Sequence, residues 1–495
     1  MLRNNLLSCL CVLLCTISFS LNAQPKSLTL DDVIRLSQEN SLEALLAKHR
    51  FRSSYWQYRS YKASYLPSVA IDAELIDMQR AIVKNSVFED GSWVEKFGES
   101  RRLNSSLNLL INQNIPFTGG RLLISSDLGR LDLLNDDPAT YRSTPISVGL
   151  IQPLFSFNEF KWEKKIEPMR YKQAEKEYLE KMEGVRIIAV QYFFDFALAI
   201  ENLTVLEFNM VNNKSLQGIS KERHQLGTVD MDEIMQLEID GFKYENSYNK
   251  GLLDVEDKKA RLRSFLGFND KVDFELLTST EIPSFKIDVN QAVALARENN
   301  PGILSMETQL MQAESNLAKA KADARFNADL VASYGLTQSS TEFIDSYKNP
   351  QGYQQASVGV RIPILDWGMR KGKVKMAESY RDVAKLSVDK QSLDFDHQVF
   401  LEVMEFNMQE VQLDLAAKTD SLAKSRFEIT QEKYLIGKAN LLQLNDALRA
   451  KDDGVIDYLN ALRTYWNYYY NIRRTTLYDF ESKQTLTEDY EGLVN

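Results

Sequence analysis

Cysteine is confined to one short stretch. Cys9, Cys11 and Cys15 all lie in the apolar leader treated below, so the processed chain has neither a disulfide framework nor a thiolate metal site. Histidine is as thin. His49, His224 and His397 stand far apart, each in a helical stretch and without metal-ligand spacing, so surface or hydrogen-bonded side chains are the plainer reading. There is no Gly-rich phosphate loop, and no loop carries a nucleophile with its base, which excludes nucleotide turnover and leaves no catalytic constellation. The expectation is a protein that is not an enzyme and holds no cofactor and no metal. Basic excess is missing too: a net charge of −10 argues against a nucleic-acid partner. With only 11 Pro and 21 Gly in 495 residues, the clusters that normally punctuate domain boundaries are few.

What is present begins with "MLRNNLLSCLCVLLCTISFSLNAQ": one Arg, an apolar run from Leu6 to Leu21, and the small Ala23. This predicts a secretory signal peptide over residues 1–23. An uncleaved anchor is the alternative, but the run is short for a bilayer span and no stop-transfer charges follow. A lipid-modified Cys15 is disfavoured by the bulky Leu14 before it.

The chain then reads as one unit written twice. "RLSQENSLEAL" (Arg35 to Leu45) returns as "ALARENNPGIL" (Ala294 to Leu304), and Leu30, Ile34, Leu36, Glu39 and Asn40 fall on Val289, Val293, Leu295, Glu298 and Asn299. The first unit spans 24–270, the second 287–480, with a connector at 271–286 that has no clean period and a polar tail at 481–495. Each unit opens with a helical pattern. In the first it runs from Thr29, a plausible N-cap, to Tyr65, and Pro67 ends it.

Period 2 follows. Val69, Ile71, Ala73 and Leu75 oppose Ser68, Asp72 and Glu74, and the same alternation predicts strands at about 68–79, 103–114, 121–130 and 144–152, then 327–337 and 355–363. Such faces fit a half-wet soluble sheet or a barrel with lipid outside and water within. "KNSVFEDGSWVEKFGESRR" and "TQSSTEFIDSYKNPQGY" read as long polar loops and "IPFTGG" as a short turn, which favours the barrel.

After Pro153 and Pro363 the period becomes helical over long distances. Tyr178, Met182, Val185, Ala189, Tyr192, Phe196, Ala199, Leu203, Leu206 and Met210 form a coiled-coil seam, and a counterpart runs from Met369 to Ile436. Gly227 in "HQLGTVD" and Gly437 in "YLIGKAN" end these helices. Seams then restart, the second through Leu441, Leu444, Leu448, Lys451, Val455, Tyr458, Leu462 and Tyr465. Helical hairpins are thus predicted at about 157–266 and 366–478. One chain has too few strands to close a wide barrel, and an open edge cannot sit in lipid, so several copies are required.

The doubled "LTLDDVIRLSQENS" and "IDVNQAVALARENNP", the joints "IQPLFSF" and "RIPILDWG", and the tips "HQLG" and "YLIG" together resemble the TolC-type outer membrane factors, over nearly all of the mature chain. The resemblance implies a mainly α protein with membrane β: long antiparallel coiled-coil hairpins forming a periplasmic tunnel, and strands contributing to a barrel shared by a homotrimer. It implies a place in the outer membrane among its lipids and passive, porin-like conduction. It also implies a periplasmic adaptor (membrane fusion) protein docking at the tips, and an inner-membrane pump of the RND or ABC type. The function implied is the exit channel of a tripartite efflux pump, with the duct of type I protein secretion as the alternative and a periplasmic coiled-coil scaffold further behind. The family has two strands per half where four are read in the first half here; either the barrel is wider or the pair around "IPFTGG" folds outside the membrane.

By the same resemblance Glu233 and Asp446 stand where the family carries tip carboxylates, and Tyr434 where it carries a locking tyrosine. Gln443 replaces a further aspartate and Ala439 an arginine of the lock. A solvated helix face is the competing reading for the two carboxylates. Gly227 and Gly437 are either adaptor-docking turns or ordinary helix caps. Trp162 and Trp367, with Phe155, Phe157 and Phe160, fit an interfacial aromatic belt, against plain core packing.

Overall fold

A computed structural model describes residues 26–494 except 135–137, 270–271 and 279–281; the signal-peptide reading and the three cysteines lie outside the described residues. The chain divides into two compact units, one of Met1–His49, Tyr178–Glu298 and Gln398–Glu488, the other of Arg50–Glu177, Asn299–His397 and Asp489–Asn495.

The first elements are a short strand β1 (Lys26–Leu28) and helices α1 (Leu30–Asn40) and α2 (Leu42–Ala63). Thr29 is the N-cap, in a reciprocal capping box with Asp32. The single helix expected up to Tyr65 is broken at Ser41. That residue is extended (φ −66°, ψ 149°), and its Oγ accepts from the Ala44 amide at 3.2 Å, so it caps the second helix. The other copy of the motif does the same. Helices α5 (Val289–Asn299) and α6 (Pro301–Asp323) part at Asn300, whose Oδ1 accepts from the Gly302 amide at 2.8 Å, with Pro301 at the first helical position. The recurring "ENS" and "NNP" are therefore helix breaks. Asn300→Ala should cost about 1 kcal/mol, read as a lowered midpoint in thermal unfolding; an unchanged midpoint would mean that Pro301 alone sets the break.

In the second unit six strands form one antiparallel sheet in the order β2 (Ser68–Glu89), β3 (Ser92–Ile115), β4 (Gly120–Leu133), β5 (Thr140–Pro153), β7 (Asn327–Ser340) and β8 (Gln351–Arg361). All six predicted segments are strands, but "KNSVFEDGSWVEKFGESRR" is no loop. β2 and β3 pair through it to Glu89↔Ser92 around Asp90 and Gly91, both at positive φ, the backbone of a two-residue hairpin turn. The second predicted loop does contain non-strand chain, a 3₁₀ turn at Ile344–Tyr347.

Register puts Val69, Ile71 and Ala73 opposite Ile111, Leu109 and Leu107 on one face, with Asp72 opposite Asn108 on the other. At one end the strands are fastened to helix termini. Asn158, at the start of α3 (Glu159–Gln225), donates from Nδ2 to the Pro116 and Phe117 carbonyls of the "IPFTGG" turn, and Gln113 and Asn114 donate to the Tyr65 and Ser64 carbonyls. The turns at 90–91 and 341–350 lie at the other end.

The first unit is built on the distal parts of α3 and α7 (Met369–Leu435) with α4 (Met231–Phe265) and α8 (Leu441–Thr476). Tyr178, Val185, Ala189, Phe196 and Ala199 of the predicted seam are buried, and so are Ile187, Val190, Phe193, Phe194 and Ala197, because here α3 is packed on several sides and not along one stripe. The connector supplies β6 (Phe274–Leu276), which pairs parallel with β1 and buries Phe274 and Leu28 completely. Lys451, an odd member of the α8 seam, has its ammonium 3.8 Å from the Phe208 ring centre and 5.1 Å from that of Phe427.

The C-terminal segment is docked. β9 (Tyr478–Asp479) and β10 (Gln484–Thr485) pair in the first unit. In the second, Tyr490 packs on Phe51 with ring centres 5.3 Å apart, and Arg52 Nε donates to the Leu493 carbonyl at 2.7 Å.

Candidate functional site

The turns at the far ends of the helical hairpins follow from local chain chemistry. At each, a Gly takes the left-handed conformation (Gly227 φ 75°, Gly437 φ 76°) and two amides reach back. Gly227 N donates to His224 O and Thr228 N to Arg223 O, while Gly437 N donates to Tyr434 O and Lys438 N to Lys433 O. Both are Schellman turns. Each Gly is exposed, and nothing stands within 4 Å of where a Cβ would be. His224 is spent on the turn, its Nδ1 lying 2.7 Å from Val229 O.

Beside these turns the four helices enclose an apolar cluster of Leu216, Leu237, Phe427, Leu444 and Leu448, on which Tyr434 and Ala439 pack. Tyr434 is 1% exposed, and its hydroxyl donates to Glu233 Oε1 at 2.6 Å. Ser220 Oγ lies 3.0 Å from the same hydroxyl and donates to Glu233 Oε1 at 3.2 Å. Arg223 closes the group: its guanidinium lies 5.3 Å from the Tyr434 ring centre, and Nη2 donates to the Tyr434 carbonyl at 3.0 Å and to that of Leu435. A residue of α7 is thus bonded to α3 and α4. Burial, reinforced by the Glu233 carboxylate, pushes the Tyr434 hydroxyl up to about 12, so it stays a donor at neutral pH.

Of the residues singled out in the sequence, Glu233 and Tyr434 are brought together, whereas Asp446 and Gln443 are not part of that group. Asp446 sits on an exposed face, paired with Arg426. Gln443 closes the start of α8: its amide donates to Asn440 Oδ1 at 2.9 Å, and its Oε1 accepts from the Asn440 amide at 3.1 Å. Ser220 and Arg223 were not singled out. Nothing short of the helix pairing places them beside Tyr434. Where Ala439 leaves the expected arginine out, a guanidinium does reach the tyrosine, from α3.

At the helix-bound end of the sheet Trp162 is half-buried with the Lys165 ammonium 5.3 Å from its ring, while Trp367 is 90% exposed at φ 54°. Phe155 packs on Phe326 and Phe160 on Tyr65, so part of the supposed belt is packing. Val69, Ile71 and Val358 are between 62% and 68% exposed, and that sheet face is uncovered by the described residues. Among the described residues no group of His, Cys, Asp and Glu has the makings of a metal site.

Comparison with known proteins agrees with this architecture. Residues 292–474 match the model of the family described as outer membrane efflux protein. A probable outer membrane lipoprotein, SilC of Salmonella typhimurium, is 25% identical over 191 residues; the match spans 38% of this chain and 40% of that relative. Among solved structures, the Campylobacter jejuni CmeC outer membrane channel superposes with a TM-score of 0.66 at 18% identity, over 94% of this chain and 88% of that one. The open state of the Neisseria gonorrhoeae MtrE outer membrane channel gives 0.59 at 14%, over 90% and 88%. At such identity the structural likenesses establish the fold, that of the outer membrane channels, and residues 292–474 resemble the outer membrane efflux protein family in sequence as well.

Proposed function

We propose that the protein is the outer-membrane channel of a tripartite efflux pump and works as a homotrimer. Its tips receive a periplasmic adaptor, and its cargo is energised by an inner-membrane pump. One observation carries the reading: a six-stranded antiparallel sheet whose edges, β2 and β8, are open and whose aliphatic face is uncovered among the described residues. An open edge is not tolerated in hydrocarbon, so β8 of one copy pairs with β2 of the next until the ring closes. Three copies of six strands make a barrel of eighteen, wider than two strands per half would give, with Asp72 and Asn108 on the wet side and Val69 and Leu109 in lipid. The hairpin turns face outward and the helix-bound ends inward, where the exposed Phe117 and Trp367 meet headgroups.

The two chain halves are repeats of one unit, 24–270 and 287–480. The Tyr434–Glu233–Ser220–Arg223 group holds the tip shut, and the turns at Gly227 and Gly437 are where the adaptor docks. Asp446 lends the entrance its preference for cations. A water-soluble scaffold would cover Val69, Ile71 and Val358 with protein; their exposure disfavours it. The duct of a type I secretion system would use the same parts.

Planar-bilayer recording of purified full-length protein, paired with native mass measurement, is the test. A trimer that conducts, with cations preferred, is expected. A water-soluble monomer that never enters lipid would overturn the proposal.

A further inference from the structure

The β2–β3 hairpin outgrows the rest of the sheet. β3 keeps β4 as a partner only to Arg102↔Leu133, while β2 and β3 go on pairing to Glu89↔Ser92. About ten residues of each strand stand clear, roughly 33 Å at ~3.3 Å per residue. A two-stranded ribbon in water is marginally stable by itself, so this one gains by lying against something.

Its register shows what kind of thing. The face that carries Ile111, Leu109 and Leu107 lower down continues outward through Leu103, opposite Met78, and there the aliphatic run ends. The next rung pairs Arg80 with Arg101, two like charges directly opposite, an arrangement that weakens a ladder. Glu99 touches both, one carboxylate between two guanidiniums. Beyond them Lys84 is paired with Glu95, so the rungs above the aliphatic band keep a surplus of one positive charge. Ile82, Phe97, Phe88 and Trp93 share this face and are all exposed; the last two meet edge to face at the tip, with ring centres 5.3 Å apart.

We propose that this face is a docking surface for the phosphorylated sugar headgroups of outer-leaflet glycolipids. The inference rests on the reading above that the hairpin turns face outward. The same lipids whose chains cover Val69 and Leu109 would present phosphates one rung above Met78 and Leu103. There Arg80 and Arg101 offer planar forks that bind phosphate bidentately. Higher up, Phe97, Phe88 and Trp93 present flat apolar rings to the faces of sugars. Continuity with the lipid-covered face selects this occupant over a soluble protein, for which neither the order of rungs nor the placing of the cations has a reason.

The experiment uses the full-length trimer in phosphatidylcholine nanodiscs, with and without a diphosphorylated, acylated glucosamine disaccharide. Native mass spectrometry should retain the glycolipid on the wild type. Arg80→Gln with Arg101→Gln should weaken retention about tenfold, the loss of roughly 1.4 kcal/mol, and Trp93→Ala with Phe97→Ala should weaken it severalfold. A dephosphorylated disaccharide should lose the arginine-dependent part alone. Equal retention by wild type and both double variants overturns the proposal. So does competition by inorganic phosphate, which would make the site one for free anion. Efficient disulfide cross-linking between copies of a Trp93→Cys variant overturns it as well, because the tips would then be covering one another. Conductance of the same samples is scored separately: a non-conducting wild type fails the channel reading, whereas conducting variants that have lost glycolipid leave it intact.

Discussion

Glu233→Ala should hold the tip open. The carboxylate accepts from the Tyr434 hydroxyl at 2.6 Å and from Ser220 at 3.2 Å, and so ties α4 to both α7 and α3. A hydrogen bond to a charged group contributes about 1.5–3 kcal/mol, so its loss should move a closed-to-open ratio by roughly ten- to a hundredfold. Single-channel records in planar bilayers should show greater conductance or longer openings. Tyr434→Phe, which keeps the packing and deletes the donor, should act in the same direction. Records that overlay the wild type in both variants would remove this group from any role in gating. Asp446→Ala is expected to behave differently: its carboxylate is exposed and, among the described residues, is bonded to Arg426 on the helix beside it, so cation preference should fall while opening is little changed.

Arg473→Leu should be the most destabilising single change. Arg473 is 6% exposed; Nη1 lies 2.6 Å from Asp479 Oδ2 and Nε 3.2 Å from Glu183 Oε2, the latter on a carboxylate just as buried. Arg186 also reaches Glu183, at 3.2 Å, whereas Asp479 is paired with Arg473. Removing one partner of a buried ion pair costs about 3–5 kcal/mol, because the other charge is stranded. Adding Glu183→Leu should recover part of that loss. The melting temperature in detergent is the measurement, and a single variant that melts with the wild type would mean that water takes the place of the guanidinium. The acid side has a defined sign. Burial pushes the Asp479 carboxyl up, but Arg473, Ser482 and Tyr469 together outweigh it, and it ends below the ordinary carboxylate range. Its contribution is therefore complete above about pH 4, the unfolded value, and is lost only as pH falls through the lower folded value. In Arg473→Leu that part of the acid sensitivity should disappear.

How far the chain could be read without coordinates depended on how local each feature is. The long helices and their glycine stops came through because period and left-handed caps are written in neighbouring residues. The six strands came through for the same reason. Even so, the Asp90–Gly91 pair, a strong hairpin signal, is masked in the sequence because charged residues such as Lys84, Glu95 and Glu99 interrupt the alternation on both sides. A strand that leaves the apolar layer no longer needs that alternation. The doubled "ENS" and "NNP" were visible as a repeat, yet their work as helix breaks was not, since an N-cap inside a periodic run looks like one more polar position. The tip group was legible only where resemblance supplied it, at Glu233 and Tyr434. Ser220 and Arg223 lie more than two hundred residues from Tyr434, and only the packing of four helices makes them neighbours. The capping box of Gln443 is the opposite case, since its partner Asn440 is three residues away.

At Gly227 and Gly437 the space around the α-carbon is vacant, yet the backbone is left-handed. What excludes other residues there is chirality and not bulk. A D-alanine introduced by chemical ligation should be accepted at either turn, whereas L-alanine should carry a strain of about 1–2 kcal/mol. The hairpin ends are thus two points where the mirror sense of the chain, and nothing about its volume, decides what can stand.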